Sequence, residues 1–192
     1  LQDAQHAHNW LTDHAQGPHW LWSMRGGSLL ATALAARLPQ LPHLLLWQPV
    51  ITGQQMLQQF LRLHAAGQWL AEGNKGDSPA KTLAAGRPVD IAGYTLTPAL
   101  AAGLGAARMV AVAAHAPAGP GRLVWLETTT QPEPALGPAS LTHLESWRAA
   151  GWTVDAQPVT APAFWQTVGT EEAPALIAAT LQALDAAGAA SA

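Results

Sequence analysis

Cysteine is absent from this chain of 192 residues, tyrosine occurs once and phenylalanine twice. Without cysteine there can be no disulfide, no thiolate metal site and no cysteine nucleophile. Charge is also scarce, with 11% charged residues against 49% hydrophobic ones. That balance supports a sizeable packed core and excludes a disordered chain. The 9 Lys and Arg residues and the net charge of -3 leave no basic stripe, so the electrostatic footprint of a nucleic-acid binder is missing. Long apolar runs are lacking as well. Gly, Gln or Pro interrupts each of them within about 12 residues, short of a membrane span.

What is plentiful is tryptophan, with 9 residues. Either some of these line a pocket or interface, or they fill the core. The length fits one domain. The chain begins Leu1-Gln2-Asp3, without Met or a signal pattern, inside what reads as an amphipathic helix. A fragment of a longer protein, truncated at its N-terminus, is the expectation.

Periodicity orders the rest. Residues 1–15 read as a helix, with Gly17-Pro18 as its stop. Residues 19–24 form a short apolar run of strand type. Gly26-Gly27 open a helix with Leu30, Leu34 and Leu38 on one face, ending at Pro39. A second apolar run, LPHLLLWQPV, occupies 41–50. Strand, helix and strand within about 30 residues are the signature of a βαβ unit and a parallel sheet. Thr52 caps a long helix reaching about residue 72, with Met56, Leu57, Phe60, Leu61 and His64 on one stripe. A short helix at 78–85, a hairpin around Ala92-Gly93-Tyr94 and a helix at 98–105 follow. Residues 52–106 thus read as a lid inserted between core strands. The α/β rhythm then resumes. It gives a weak strand at 109–114, a strong one in GRLVWLE at 121–127, and a helix at 140–150 with Leu141, Leu144 and Trp147 apolar. A strand near the sheet edge at 152–159 comes next. The last helix, 171–186, has Leu176, Ile177, Leu181 and Leu184 on one face, and the tail beyond it frays. The expected fold class is α/β, a doubly wound, mostly parallel sheet with an inserted lid. Such a sheet needs more strands on its N-terminal side, which again points to missing upstream sequence.

The stretch Ser23-Met24-Arg25-Gly26-Gly27 has the spacing small-x-nucleophile-x-small of a nucleophile elbow, a sharp strand-to-helix turn that brings helix and strand close together. Arg25 occupies the nucleophile slot. Arginine stays protonated and cannot attack an acyl carbon. It makes sense there as a contact for an anion, phosphate or carboxylate, or as a structural tie to a carboxylate. Ser23 and Ser28 are the neighbouring hydroxyls; either could be a nucleophile, and capping or packing is the favoured reading of both. Glu127, ending the strong strand, is the best-placed acid; a solvated strand-end carboxylate is its plain alternative. No histidine follows His143, which the helical pattern places on a surface. The region a hydrolase would use for its histidine lies near Phe164-Trp165. His6, His8, His14, His19, His43, His64 and His115 are scattered, and the His6-x-His8 pair has no acidic partners, so no metal site is expected.

Four runs go further: LWSMRGGSLLATALAARL, LLLWQPVITGQQMLQQFLRL, VDIAGYTLTPAL and AFWQTVGTEEAPALIAATL. Together with the order strand–elbow–helix–strand, lid, strand–acid, helix, strand–loop–helix, they resemble the C-terminal two thirds of an α/β-hydrolase. The likeness is to the exosortase A system-associated hydrolases, most of all the group called hydrolase 2, which accompany PEP-CTERM exopolysaccharide loci of Gram-negative bacteria. The resemblance covers residues 1–190. It implies a cytoplasmic protein with an α/β-hydrolase fold and a nominal ester or thioester hydrolase activity, without a cofactor. The elbow serine of the family falls on Arg25 and its histidine near Trp165; the oxyanion loop would lie upstream of Leu1. Two functions stay open. One is hydrolysis of an acyl substrate. The other is a catalytically inactive relative that binds an anionic small molecule or a partner protein through Arg25, Trp22, Trp47 and Trp165, with Ser23, Met24 and Gln48 as further pocket candidates.

Overall fold

The computed structural model describes residues 1–17, 19–72, 77–91, 93–113, 121–166 and 170–189, with the side chains of 63–72 and 187–189 outside that description. The chain separates into two compact units, one made of residues 1–49 and 110–192, the other of residues 50–109.

The larger unit is built on a four-stranded parallel sheet. Its strands are β1 (Trp20–Met24), β2 (His43–Trp47), β5 (Arg122–Thr129) and β6 (Thr153–Thr160), side by side in that order. Strands β3 (Val89–Ile91) and β4 (Tyr94–Leu96) belong to the smaller unit. In-register pairing aligns Leu45 with Trp22 on one side and Val124 on the other, and Val124 with Asp155. Leu44, Leu45 and Leu46 and the run from Leu123 to Leu126 are all buried, as apolar strands covered on both faces must be. β1 and β6 are the edges, and the edge position of β6 tolerates Pro158 inside it.

Helices cover both faces. Leu45, Val124, Leu126 and Val159 point to one face, where they meet Leu176, Ala179 and Ala183 of α7 (Pro174–Ala189). The alternating set Leu44, Leu46, Leu123 and Trp125 points the other way. Trp125 meets His143 of α6 (Pro138–Ala149) there. Because the strands follow one another in order, right-handed crossovers put α2 (Gly27–Ala35) on the same face as α6. Gly121 opens β5 beneath an indole: a Cβ there would stand 2.7 Å from the Trp152 ring, so only glycine lets Trp152 close the core. α1 (Gln2–His14) precedes β1 and buries none of its residues.

Three helix faces follow the periodic expectation only in part. Helix α2 buries Ser28, Leu29, Ala31, Thr32, Leu34 and Ala35, while Leu30 is exposed. Helix α7 buries Leu176, Ala179, Thr180 and Ala183, and Ile177 and Leu181 face outward. Leu141 of α6 is likewise exposed beside buried Leu144 and Trp147. The buried faces mix small side chains with Leu29, Leu34, Leu144 and Leu176, so close packing on the sheet takes alanine, serine and threonine alongside leucine. Residues 109–113 are irregular rather than a strand. Ala114, His115, Pro18 and the tail from 190 lie outside the described residues.

The smaller unit contains α3 (Gly53–Glu72), α4 (Pro79–Ala84), the hairpin β3 (Val89–Ile91) with β4 (Tyr94–Leu96), and α5 (Pro98–Ala106). Its own core joins Val89, Ile91, Leu96 and Ala101 to Leu57, Leu61 and Leu83. Side-chain oxygens of Thr52, Ser78 and Thr97 cap its three helices, each accepting from a backbone N–H of the first turn. At Gly53 a Cβ would stand 1.9 Å from the Leu104 carbonyl oxygen, so α3 and α5 meet through bare backbone. Of the stripe read from the sequence, Leu57 and Leu61 pack inward and Phe60 is exposed; the His64 side chain lies outside the described residues. No helix among the described residues is long and apolar enough to cross a membrane.

Candidate functional site

In an open parallel sheet, ligands bind beyond the carboxyl ends of the strands. Here β1 and β2 are each followed by a non-glycine residue with positive φ, Arg25 at 53° and Gln48 at 42°. Such residues are strained by about 1–3 kcal/mol and persist only where the surroundings hold them. The holding bonds are equivalent. The Arg25 N–H donates to the Trp47 carbonyl (2.9 Å), and the Gln48 N–H donates to the Leu126 carbonyl (2.7 Å). Each turn is therefore locked by the next strand in the sheet.

The side chains have separate fates. The Gln48 amide oxygen accepts from Thr128, from its backbone N–H at 2.7 Å and its hydroxyl at 3.2 Å. That amide ties the β2 turn to β5. Arg25 directs its guanidinium over the indole of Trp165, with Cζ 5.5 Å from the ring centroid, within reach of a cation–π attraction. Burial lowers the Arg25 pKa from its ordinary value, and the group stays charged at neutral pH. Trp165 lies in the short 3-10 turn Phe164–Gln166 after β6. Its Nε1 is buried and has no hydrogen-bond partner.

An aromatic run adjoins this pair. Trp22 meets Trp47 edge to face (4.8 Å), Trp47 meets Phe164 (6.3 Å) and Phe164 meets Trp165 (5.2 Å). The Trp47 Nε1–H donates to the Thr180 hydroxyl (3.0 Å), which donates on to the Leu176 carbonyl (2.8 Å). Trp47 is thereby fixed to α7. Trp22 is 60% exposed. Ser23 keeps its hydroxyl buried without a partner, on the side of β1 where Gly27 approaches it. Ser28 is buried, and its hydroxyl donates to the Arg25 carbonyl (2.7 Å). Met24 is 39% exposed.

Glu127 sits two residues before the end of β5 rather than at it. Its Oε1 accepts from the Trp125 indole N–H (2.7 Å) and from the Ser140 hydroxyl of α6. That carboxylate is a strut between strand and helix, partly buried and engaged rather than a free strand-end group. His143 is not a surface residue: it is half-buried against Trp125, and its Nε2 has no partner. Burial lowers its pKa.

Of the sequence candidates, Trp22, Trp47, Arg25 and Trp165 come together through the chain of contacts above. Glu127 and Gln48 hold the framework. Phe164 completes the aromatic run and Thr180 anchors it at Trp47; Thr180 carried no sequence signal beyond its residue type, since Trp47 lies far away in the chain. Among the described residues no group of three or more His, Cys, Asp or Glu could hold a metal ion. No family model, curated protein or solved structure matches this chain.

Proposed function

We propose that this chain is an α/β-hydrolase-like protein of the exosortase A-associated kind whose site binds an anionic ligand instead of cleaving an acyl bond. The observation that carries the reading is Arg25. A permanently charged side chain stands where a nucleophile would, on a backbone held at positive φ, with its guanidinium over Trp165. Acyl transfer needs a nucleophile, a base to activate it and an acid to orient the base. Arginine supplies none of these, the segment after β6 has Trp165 where a histidine is wanted, and the Glu127 carboxylate is engaged by Trp125 and Ser140.

The architecture supports the family reading. Four parallel strands follow in order, with a strained turn after the first, a separate unit after the second, and a loop and helix after the fourth. A strained residue at the end of the first strand, where helix and strand meet, is what a nucleophile elbow requires. Cytoplasmic residence in an exopolysaccharide-producing bacterium belongs to the same proposal.

Two measurements test it. Purified protein is expected to bind sodium decanoate, an apolar carboxylate, in calorimetry, with affinity lost in Arg25→Ala. It is expected to leave p-nitrophenyl esters from acetate to decanoate unhydrolysed. Turnover above buffer that disappears in Ser23→Ala would overturn the binding reading in favour of catalysis.

A further inference from the structure

The two edges of the parallel sheet differ in how they are closed to a further strand. In a parallel pair, alternate residues of a strand direct both backbone groups to the neighbour, and those between them direct both away. The His19 carbonyl accepts from the His43 N–H, and the Arg25 N–H donates to the Trp47 carbonyl. With Trp22 in register with Leu45, the odd-numbered residues of β1 therefore bond to β2. Trp20, Trp22 and Met24 turn their N–H and C=O groups to the outer edge. No strand among the described residues pairs with that row. At β6 the Thr153 N–H donates to the Gly121 carbonyl and the Ala161 N–H to the Thr129 carbonyl, which puts Pro158 in the outward row. A proline there removes a donor and so protects the edge. β1 has no proline and no charged residue, and its pairing with β2 runs without a bulge.

The side chains leave the same edge open. Trp22 shares the sheet face of Leu45, the face on which α7 packs, and Trp20 and Met24 lie on it too. There Trp22 is 60% and Met24 39% exposed. The outward row is also symmetric about Trp22. Turned by a two-fold axis through that residue, β1 meets itself antiparallel: the two Trp22 residues face each other and each Trp20 faces a Met24. Each facing pair exchanges two backbone hydrogen bonds, about six in all. Every facing side chain on the α7 side is then apolar, and no charge of the strand opposes a like charge. A charged peptide, by contrast, has nothing on β1 to pair with.

We propose that β1 is a self-association edge. Two copies of this chain join β1 to β1, antiparallel across a two-fold axis at Trp22, and the four strands of each form one continuous sheet with the Trp22 pair at its centre. A contact that uses the same patch on both copies closes at the dimer. A strand of five residues is smaller than the about 800 Å² per partner of a tight interface, so the dimer is expected to dissociate in the micromolar range.

The test is sedimentation velocity of the full chain from about 1 to 200 µM. The parent is expected to pass from the mass of one chain to that of two. Trp22→Lys and Trp22→Glu each set like charges opposite each other at the two-fold axis. Each is expected to weaken self-association at least about tenfold. An equimolar mixture of the two variants is expected to regain a dimer with one chain of each, because the introduced charges then attract. That recovery requires pairing at residue 22. A parent that stays monomeric throughout overturns the proposal, including where another segment covers the edge. A dimer that survives unchanged in both variants overturns it as well, as does a mixture no more associated than its components. Should the variants fail to fold, amide hydrogen exchange in the parent decides. The Trp20, Trp22 and Met24 amides are expected to slow as concentration rises, while those of Leu21 and Ser23, already bonded to β2, keep their rates. Exchange along the whole strand that ignores concentration overturns the proposal.

Discussion

The turns that close β1 and β2 are the same device put to two uses. Arg25 and Gln48 each follow a strand at positive φ, and each backbone N–H is bound by the neighbouring strand. Gln48 spends its side chain on Thr128, so the strain at β2 is part of the scaffold. Arg25 turns its side chain to the aromatic run, so the strain at β1 aims a charge. Strained backbone alone therefore does not mark a site; what the side chain is left to do distinguishes the two.

Gln48→Val should break the scaffold turn most severely. It places a β-branched residue at positive φ and strips the Thr128 N–H of its acceptor, costing about 3–5 kcal/mol in denaturant unfolding. Arg25→Gly should give the opposite profile. Decanoate affinity falls by about a hundredfold, as for a lost charge-assisted contact of 2–3 kcal/mol. Stability meanwhile stays level or rises by up to about 1 kcal/mol as the strain is relieved. Equal destabilisation in the two variants would erase the distinction. Glu127→Ala should cost about 2 kcal/mol, because the Trp125 and Ser140 donors lose their shared acceptor. It should leave decanoate binding unchanged; a loss of binding would assign Glu127 to the site.

The smallest effect concerns the other end of the sheet. The backbone N–H of Arg122 donates to His43 Nδ1 (3.1 Å), which requires that nitrogen unprotonated. Burial, and then the Arg122 charge, lower the His43 pKa from its ordinary 6.5. Above that value neither folded nor unfolded chain binds the proton and His43 costs nothing. As pH falls below it, the unfolded chain takes up the proton first, and stability drops by at most about 1.4 kcal/mol per pH unit for this one group. His43→Gln should flatten part of that slope in pH-dependent melting between 7 and 5. His8, which burial and then His19 lower, and His143, which burial lowers, contribute in the same direction. Decanoate binding far from this end should not follow His43. An unchanged slope in His43→Gln would remove the histidine from the account.

Element types were legible because each segment carries its own signal. The run LVWL reads as buried strand, Ser78-Pro79 and Thr97-Pro98 start helices, and Gly93 permits the hairpin. Faces were less legible. Leu30, Leu34 and Leu38 share one helical face and Leu176, Ile177, Leu181 and Leu184 another, but packing buries Leu34, Leu38 and Leu176 and leaves Leu30, Ile177 and Leu181 exposed. Glu127 and His143 were misplaced for a related reason, since the packing of α6 on β5 turns both inward. Nothing local announces a contact between residues 13 or 18 positions apart.

Composition and local order by themselves determined an α/β chain, without cysteine chemistry and without the charge for nucleic acid, with an arginine in an elbow-like turn. The strand order, the tie of Glu127 to Ser140, the capture of Gln48 by Thr128 and the meeting of Arg25 with Trp165 across 140 positions of sequence were decided only by the tertiary structure. Secondary structure follows from interactions a few residues long, whereas a site is a set of side chains whose directions are fixed by what packs behind them.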